Sequence, residues 1–216
     1  MGQYVVIGLG NFGFNAAVSL AERGHEVLVI DNSPKRIEKI KDLVTEAIIA
    51  DAKEIHVLDE FIQPKVDAVI VNLGDTIESS ALATLHLKEM GVKYIIVKAV
   101  EEIHGTILKK IGASEIINPE KDSAERLSER LTFPNLIENI PLMPEYSIVE
   151  IAVPDKFVGK SLRGLQLRTK HNIEVIAIKD VLMNKLVILP DVDFKMLPDN
   201  ILVVLGKKDD IENLNF

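Results

Sequence analysis

The sequence predicts an α/β fold, in which a doubly wound parallel sheet is followed by a small α+β domain. Over roughly the first 130 residues, short apolar runs alternate with segments of helical periodicity, which is the pattern of strand–helix–strand units. A glycine-rich turn directly follows the first apolar run. After prolines at 134, 141 and 144 the apolar runs lie close together with few helical segments, which predicts a second, mainly antiparallel domain.

The elements of the first domain follow from apolar runs and their stop signals. Residues 3–7 form an apolar run that Gly8 stops, which predicts a buried strand. Gly24 and Gly91 close helices, and the pair Ser33-Pro34 is a typical helix start. The other strands are predicted at 26–30, 47–50, 67–71, 94–97 and 114–117, and the helices at 12–23, 35–43, 76–90, 101–111 and 120–131.

The prolines also predict the domain boundaries. The first domain occupies residues 1–132, and Asn118 caps its last helix at about 119–131. A linker at 133–144 carries the prolines, and the second domain occupies 145–216. The second domain is predicted to contain strands at 146–153, 173–179, 185–189 and 201–205, a turn at 183–184, a helix at 161–170 and a last helical turn at 209–214.

Composition and charge exclude several classes of protein. Of the 216 residues, 47% are hydrophobic and 27% are charged, the balance of an ordinary globular chain. No apolar run approaches the ~18 residues that span a bilayer, and the first residues lack the basic segment of a secretion signal, which favours a cytoplasmic location. Because cysteine is absent, disulfides and thiolate ligands are excluded. A net charge of −8 argues against a nucleic-acid partner.

A glycine motif carries the chemistry of the first domain. Residues 8–13 read G-x-G-x-x-G between a strand and a helix, which is the context of a Rossmann-like nucleotide site. Gly8 permits the tight turn, Gly10 lets the backbone approach a phosphate, and Gly13 allows the helix to pack closely on the strand. The free N–H groups at the start of the helix then hold an anion.

Asp31 ends the second predicted strand, 18 residues after Gly13, close to the ~20 residues at which a ribose-binding carboxylate is expected. A carboxylate there accepts hydrogen bonds from ribose hydroxyls and repels a 2′-phosphate. The alternative is a glycine turn and a helix-capping aspartate that bind no ligand.

The sequence offers no clear catalytic group. Tyr94 and Lys98 match the literal Tyr-x-x-x-Lys pattern of short-chain dehydrogenases, but that pair must lie on a helix, and residues 94–97 are predicted as a strand. The five histidines form no metal-ligand pair, and the serine-hydrolase and P-loop motifs are absent. We therefore expect a protein that is not an enzyme. The alternative, an NAD-dependent oxidoreductase, would need a titratable residue from 142–216 beside the nicotinamide.

Several segments taken in order resemble one family. They are Val-Ile-Gly8-Leu-Gly10-Asn-Phe-Gly13, Val-Leu-Val-Ile-Asp31, Ile49-Ala-Asp51-Ala52, Asn72-Leu-Gly74-Asp, Val97-Lys98-Ala99 and Ile117-Asn-Pro119-Glu120-Lys-Asp122, with Tyr146-Ser-Ile-Val-Glu and 199–206 in the second domain. The set resembles the RCK (TrkA/KtrA-type) cytosolic regulators of potassium transport, in which a TrkA-N domain precedes a TrkA-C domain.

The resemblance implies a function. The protein would be a nucleotide-binding regulatory subunit on the inner face of the membrane, attached through a membrane potassium-translocating subunit. It would form a homo-oligomeric ring, an octamer built from dimers, whose ligand-driven changes gate potassium flux. The ligand would be ATP, ADP, AMP or NAD(H), bound without turnover. The alternative assembly role is a scaffold whose cleft no longer responds to nucleotide.

The resemblance also implies the binding residues. Phosphates, ribose, adenine and the cleft mouth would be contacted by Gly8, Gly10, Asn11, Phe12, Gly13, Asp31, Asn32, Asp51, Ala52, Asn72, Leu73, Gly74 and Lys98. Glu120 would join a divalent cation, or else it is simply a carboxylate favoured at a helix N-terminus. Asn11 departs from the family, where many ATP-switched members have arginine, and the loss of that charge favours NAD, ADP or AMP over ATP.

Two further features of the family concern the rest of the chain. Some members bind cyclic di-AMP in the second domain, and the matching positions are Leu167, Arg168, Ile176, Ala177 and Pro190. Arg168 would pair a phosphate, or it is a solvated helix residue. The helix at 120–131 carries Ala124, Leu127 and Leu131 on one face. It either crosses over to a neighbouring subunit or packs on its own sheet.

Overall fold

The computed structural model describes residues 1–74, 76–133 and 135–214. The chain divides into two compact units, Met1–Lys121 and 122–216. The division falls earlier than the boundary predicted at 132, inside a helix that continues to Thr132. Pro134, one of the three prolines on which that prediction rests, lies outside the described residues.

The described part of the first unit forms a six-stranded parallel sheet with helices between its strands. Its strands are β1 (Gln3–Ile7), β2 (Glu26–Asp31), β3 (Glu46–Ile49), β4 (Ala68–Val71), β5 (Ile95–Lys98) and β6 (Glu115–Ile117), and its helices are α1 (Asn11–Glu22), α2 (Pro34–Ile40), α3 (Ile55–Phe61), α4 (Ile77–Glu89) and α5 (Glu102–Ile111). The spatial order is β3-β2-β1-β4-β5-β6, which is the order of the Rossmann fold. The predicted doubly wound sheet is confirmed.

The central strands of the sheet are buried on both faces, as the apolar runs predict, whereas the edge strands β3 and β6 are partly exposed. Successive side chains of a strand point to opposite faces. Val5 and Ile7 of β1 therefore pack into one hydrophobic cluster, and Val6 between them packs into another. All three are almost completely buried. Packing on both faces of β1 thus fixes the position of its end.

Helix α3 was not predicted from the sequence. It has seven residues, and the side chain of Glu54 before it caps no backbone N–H group. Val57 and Leu58 are nevertheless buried in the core. Tertiary packing therefore stabilises a segment whose local start signal is weak.

The second unit contains a five-stranded antiparallel sheet among its described residues. Helix α6 (Pro119–Thr132) leads into it, and its start is capped as predicted, because the Asn118 side chain accepts a hydrogen bond from the Lys121 N–H at 3.0 Å. The strands are β7 (Leu136–Met143), β8 (Tyr146–Ala152), β9 (Glu174–Asp180), β10 (Lys185–Ile188) and β11 (Asn200–Lys207), in the order β10-β9-β11-β8-β7.

The prediction of a linker at 133–144 is wrong over most of its length, because β7 occupies residues 136–143 and pairs with β8. Prolines were the reason for the error. Pro141 lies on an edge strand, where a missing N–H group removes no bond from the interior of the sheet, and the register shifts between Pro141 and Met143.

The helix predicted at 161–170 is interrupted. Ser161 caps α7 (Leu162–Leu165), since its Oγ accepts a hydrogen bond from the Gly164 N–H at 3.2 Å. Gln166 then adopts a left-handed conformation with φ of 53° and separates α7 from α8 (Leu167–His171). The predicted turn at 183–184 is present, and α9 (Lys208–Glu212) follows β11.

Candidate functional site

The candidate site lies at the carboxyl ends of the parallel strands. The order of the sheet reverses between β1 and β4, and ligands of open α/β sheets bind at such a switch point. The loops that follow β1, β2, β3, β4 and β5 all end at this edge. They line a cleft of about 220 Å³.

The glycine turn after β1 is held by close packing. Gly8 has φ of +88°, and a Cβ atom on it would lie 2.4 Å from the carbonyl oxygen of Asn72. A Cβ atom on Gly13 would lie 2.0 Å from the carbonyl oxygen of Gly8. Both positions therefore require glycine. The turn leads into α1, whose first turn has no side-chain cap, so its N–H groups remain available to an anion.

Asn72 fastens this turn to β4. Its side-chain Nδ2 donates a hydrogen bond to the Gly8 carbonyl at 3.0 Å, and its backbone N–H donates to the Ile7 carbonyl at 2.7 Å. The residue is only 8% exposed. Asn72 was predicted as a cleft residue, and the structure gives it a second role in positioning the glycine turn.

Asp31 is buried at the end of β2 and is held by backbone donors. Its Oδ2 accepts a hydrogen bond from the Leu9 N–H at 2.6 Å, and its Oδ1 accepts one from the Ser33 N–H at 2.8 Å. The guanidinium of Arg36 lies 3.4 Å from Oδ2. The carboxylate thus joins the glycine turn to the start of α2 while it faces the cleft.

Most of the predicted nucleotide residues meet in this cleft. They are Gly8, Gly10, Asn11, Asp31, Asn32, Asp51, Ala52, Asn72, Leu73, Gly74 and Lys98. Two predicted residues do not line it. Phe12 packs against the hydrophobic cluster beneath α1, and Gly13 is buried under the turn, so both support the site from behind.

Four lining residues were missed from the sequence, namely Ile30, Ala50, Arg36 and Lys53. Ile30 and Ala50 flank predicted residues and could have been found as their neighbours. Arg36 lies in the first turn of α2, where a solvated helix residue is the ordinary expectation. Only the fold shows that this turn faces the cleft.

The cleft is rich in cations although the chain is acidic. Arg36, Lys53 and Lys98 line it together with the carboxylates Asp31 and Asp51. The whole chain has a net charge of −8. A local excess of positive charge beside the start of α1 favours an anionic ligand.

Lys98 and Glu120 form an ion pair at the mouth of the cleft. Lys98 is the last residue of β5, and its ammonium group donates a hydrogen bond to Glu120 near the start of α6. This bond from Lys98 lowers the pKa of Glu120 below its ordinary value. Hard divalent cations take several oxygen ligands. The described residues contain no cluster of three or more histidine, cysteine, aspartate or glutamate side chains that could hold a metal ion, and the role of Glu120 toward a cation stays a prediction.

Comparison with known proteins agrees with this geometry. Residues 4–119 match the family model of the TrkA-N domain, and residues 147–215 match that of the TrkA-C domain. The chain is 35% identical over 210 residues to the Ktr system potassium uptake protein C of Bacillus subtilis (strain 168). The match covers 97% of this chain and 94% of that protein. The chain is also 36% identical over 210 residues to potassium uptake protein A of the same organism, with the same coverage. The chain belongs to the TrkA/KtrA family.

The fold of this TrkA/KtrA-family chain also occurs in a solved channel structure. The GsuK channel bound to NAD has a TM-score of 0.64 and 18% sequence identity, and the match covers 97% of this chain and 38% of that chain. At that identity the likeness concerns the fold. The resemblance read from the ordered sequence segments is confirmed by the two family models.

The predicted cyclic di-AMP residues of the TrkA-C domain lie in α8 (Leu167 and Arg168), in β9 (Ile176 and Ala177) and just after β10 (Pro190). Leu167 and Ala177 are buried, and the Leu189 N–H donates to the Ile176 carbonyl at 2.9 Å, which holds the residue before Pro190 against β9. Arg168 is 82% exposed, but its Nε lies 3.1 Å from a carboxylate oxygen of Glu174. An anion would have to compete with this carboxylate. The second site stays a prediction.

The Tyr-x-x-x-Lys pattern is not a catalytic pair. The Tyr94 hydroxyl donates a hydrogen bond to Glu115 at 2.6 Å, which raises the pKa of Tyr94. Lys98 lies in strand β5 and pairs with Glu120. The two side chains therefore have separate partners.

Among the residues that the structure describes, no helix combines the length and the apolar character needed to cross a membrane.

Proposed function

We propose that this protein is a nucleotide-binding regulatory subunit that gates a membrane potassium transporter or channel. The cation-lined cleft at the switch point of the sheet carries the proposal, because it offers an anion site beside a buried ribose-type carboxylate. The names of its relatives, potassium uptake proteins C and A, supply the process. We propose that the nucleotide is sensed and not consumed.

Each part of a nucleotide has a counterpart in the cleft. The N–H groups at the start of α1, beside Gly10 and Asn11, would hold phosphate oxygens. Asp31 would accept the ribose hydroxyls, and Asp51 with Ala52 would border the adenine. Asn11 offers an amide and no charge, which favours NAD(H), ADP or AMP over ATP.

Binding can gate a partner only through a difference in affinity between two states. A tenfold preference is worth about 1.4 kcal/mol at each site. We propose that the subunit forms an octameric ring of dimers on the cytoplasmic face of its membrane partner. Eight linked sites would then bias a gate that one site could not.

The Lys98–Glu120 pair would link the ligand to α6. A phosphate that attracts Lys98 would release Glu120, and the freed Glu120 carboxylate would be the residue that helps to hold a divalent cation, which would supply positive charge beside the phosphate. The cation would thus require the nucleotide, because a single carboxylate is a poor cation site.

For the second domain we propose that cyclic di-AMP binds near Arg168. The exposed guanidinium is suited to a phosphate, and the half-buried Ile176 of β9 and Pro190 after β10 offer a small apolar surface, with the buried Ala177 behind them.

A charge placed at the start of α1 tests the cleft directly. Gly10 has φ of −65° and serves as the N-cap of α1, so Gly10→Asp keeps an allowed conformation and a favourable cap, and its Cβ atom would lie 3.1 Å from the Asn72 Nδ2, which must shift slightly. The new carboxylate would repel phosphate. In calorimetry with AMP, ADP, ATP and NADH, we expect wild type to bind at least one of them and G10D to lose that binding by about tenfold or more.

The matched control is Gln63→Glu, which adds the same charge to an exposed position outside the cleft. It should bind as wild type does. If none of the four ligands binds wild type, or if Q63E loses as much affinity as G10D, the proposed function fails. Steady oxidation of NADH in the presence of small substrates would instead favour an oxidoreductase.

A further inference from the structure

The Asp31–Arg36 pair changes what the ribose end of the cleft can accept. A carboxylate alone at this position hydrogen-bonds a free 2′-hydroxyl and rejects a 2′-phosphate, whereas a nearby arginine accommodates that phosphate. Here both groups are present, and they lie 3.4 Å apart. The two lining residues come from successive elements, β2 and α2.

The two partners differ in their freedom to move. The side chain of Asp31 is 3% exposed and is held by the N–H groups of Leu9 and Ser33. The side chain of Arg36 is 54% exposed, and it forms an ion pair with Asp31. A ligand can therefore draw the guanidinium away from the carboxylate without disturbing the glycine turn.

The hydrogen-bonding capacity of Asp31 leads in the same direction. A carboxylate has about four acceptor positions, two on each oxygen. Oδ2 faces both the Leu9 N–H and Arg36, whereas Oδ1 accepts only from Ser33. One position on Oδ1 therefore remains for a single ribose hydroxyl, and a second hydroxyl would have to replace Arg36. A 2′-phosphate in place of that second hydroxyl would not displace Arg36, because the phosphate itself would pair with the guanidinium.

We propose that Arg36 determines the nucleotide specificity of the cleft, and that by neutralising Asp31 it admits an adenosine 2′-phosphate. This inference rests on the proposed nucleotide-binding function and refines the class of ligand. Lys53, on the loop after β3, also lines the cleft, together with the carboxylate of Asp51 on the same loop. The ligand class is an adenine nucleotide with or without a 2′-phosphate, such as NADPH beside NADH.

Matched ligand pairs test the proposal. AMP and adenosine 2′,5′-bisphosphate differ only in the 2′-phosphate, as do NADH and NADPH. Calorimetry on the full chain gives a ratio of dissociation constants for each pair. For wild type we expect the 2′-phosphorylated member to bind within about tenfold of the other. In Arg36→Gln the 2′-phosphorylated member should lose about tenfold or more relative to its pair.

Two further variants separate position from charge. Lys35→Gln removes the same charge from the adjacent exposed residue outside the cleft, and its ratio should equal that of wild type. Arg36→Lys retains a cation and should largely restore the ratio. The specificity proposal is overturned if wild type rejects the 2′-phosphate by more than about a hundredfold, or if R36Q and K35Q change the ratio equally. In both cases AMP or NADH still binds, so the proposed function survives. If no member of either pair binds wild type, both proposals fail.

Discussion

The buried polar residues of the first unit form hydrogen bonds with specific neighbours. His104 and Ser80 are both completely buried, and the Nε2 of His104 lies 2.9 Å from the Ser80 hydroxyl. The Val100 N–H donates to Nδ1 at 3.3 Å, and the Ser80 hydroxyl donates to the Ile77 carbonyl at 3.1 Å. These contacts suit a neutral imidazole with its proton on Nε2, because a proton on Nδ1 would face the Val100 N–H.

This network predicts a pH dependence of stability. Burial is the main cause that lowers the pKa of His104, and the charge of Glu101 opposes it in part. The unfolded chain therefore takes up a proton near pH ~6.5 while the folded protein resists it. The stabilisation is complete above about pH 6.5 and is lost as the pH falls towards the folded pKa.

We expect the melting temperature of wild type to fall more steeply than that of His104→Gln between about pH 7 and pH 5. Glutamine can still donate to Ser80 and does not titrate. Thermal melts at matched ionic strength provide the comparison. His56→Gln, which removes an exposed histidine, should keep the wild-type slope. Parallel curves for wild type and H104Q would contradict the assignment.

Asn72 provides a second prediction at the scale of one side chain. Asn72→Ala removes the amide that donates to the Gly8 carbonyl, so we expect a loss of about 1–3 kcal/mol in the free energy of unfolding. Nucleotide affinity should fall as well, because the glycine turn loses its support. Urea denaturation measures the first effect and calorimetry the second. Asn32→Ala, at an exposed residue of the same cleft, should leave stability within about 0.5 kcal/mol of wild type.

At the scale of elements, the strands of the parallel sheet could be predicted because each contains a short apolar run, and the central strands β1 and β4 are largely buried on both faces. The glycine turn and Asp31 could be predicted because they directly follow such runs. Helix α3 and strand β7 could not be predicted in this way. The first has a weak start signal, and the second carries Pro141 and an exposed, polar-interrupted pattern that only its pairing with β8 explains. Arg36 was missed because its role depends on which side of α2 faces the cleft.

The contact between α8 and β9 gives a prediction about the second ligand. Glu174 forms an ion pair with the guanidinium of Arg168, and an exposed ion pair contributes up to about 1 kcal/mol. Glu174→Gln should therefore strengthen cyclic di-AMP binding by up to about fivefold. Arg168→Gln should weaken it.

The control for this prediction is Asp193→Asn, which removes one negative charge from the exposed Arg163–Asp193 pair elsewhere in the second unit. Calorimetry with cyclic di-AMP would compare the three variants with wild type. An equal gain in D193N and E174Q would mean that net charge acts from a distance, and that Arg168 does not bind the phosphate.

At the scale of the whole molecule, helix α6 carries an exposed apolar face. None of its residues is buried, and Leu127 and Leu131 are 49% and 75% exposed. We predicted a crossover to a neighbouring subunit or packing on the helix's own sheet, and the exposed leucines favour a second copy of the chain.

The double substitution Leu127→Lys and Leu131→Lys should lower the mass of the assembly in analytical ultracentrifugation, because charged side chains would replace the apolar contact. Circular dichroism should stay that of a folded protein. Ser128→Lys, at an exposed position of the same helix, should keep the wild-type mass. An unchanged mass in the double variant would assign these leucines to another role.

The five strand ends around the cleft keep fixed distances from one another. Neighbouring strands are about 4.8 Å apart, and their ladder bonds would have to break before one wall approached another. Hydrophobic clusters pack against both faces of β1, so the floor of the cleft is also rigid. Crystal structures with and without bound nucleotide should therefore superimpose at the strand termini, and the differences should begin at the rim, with Arg36 and with Lys98, whose partner Glu120 lies in α6.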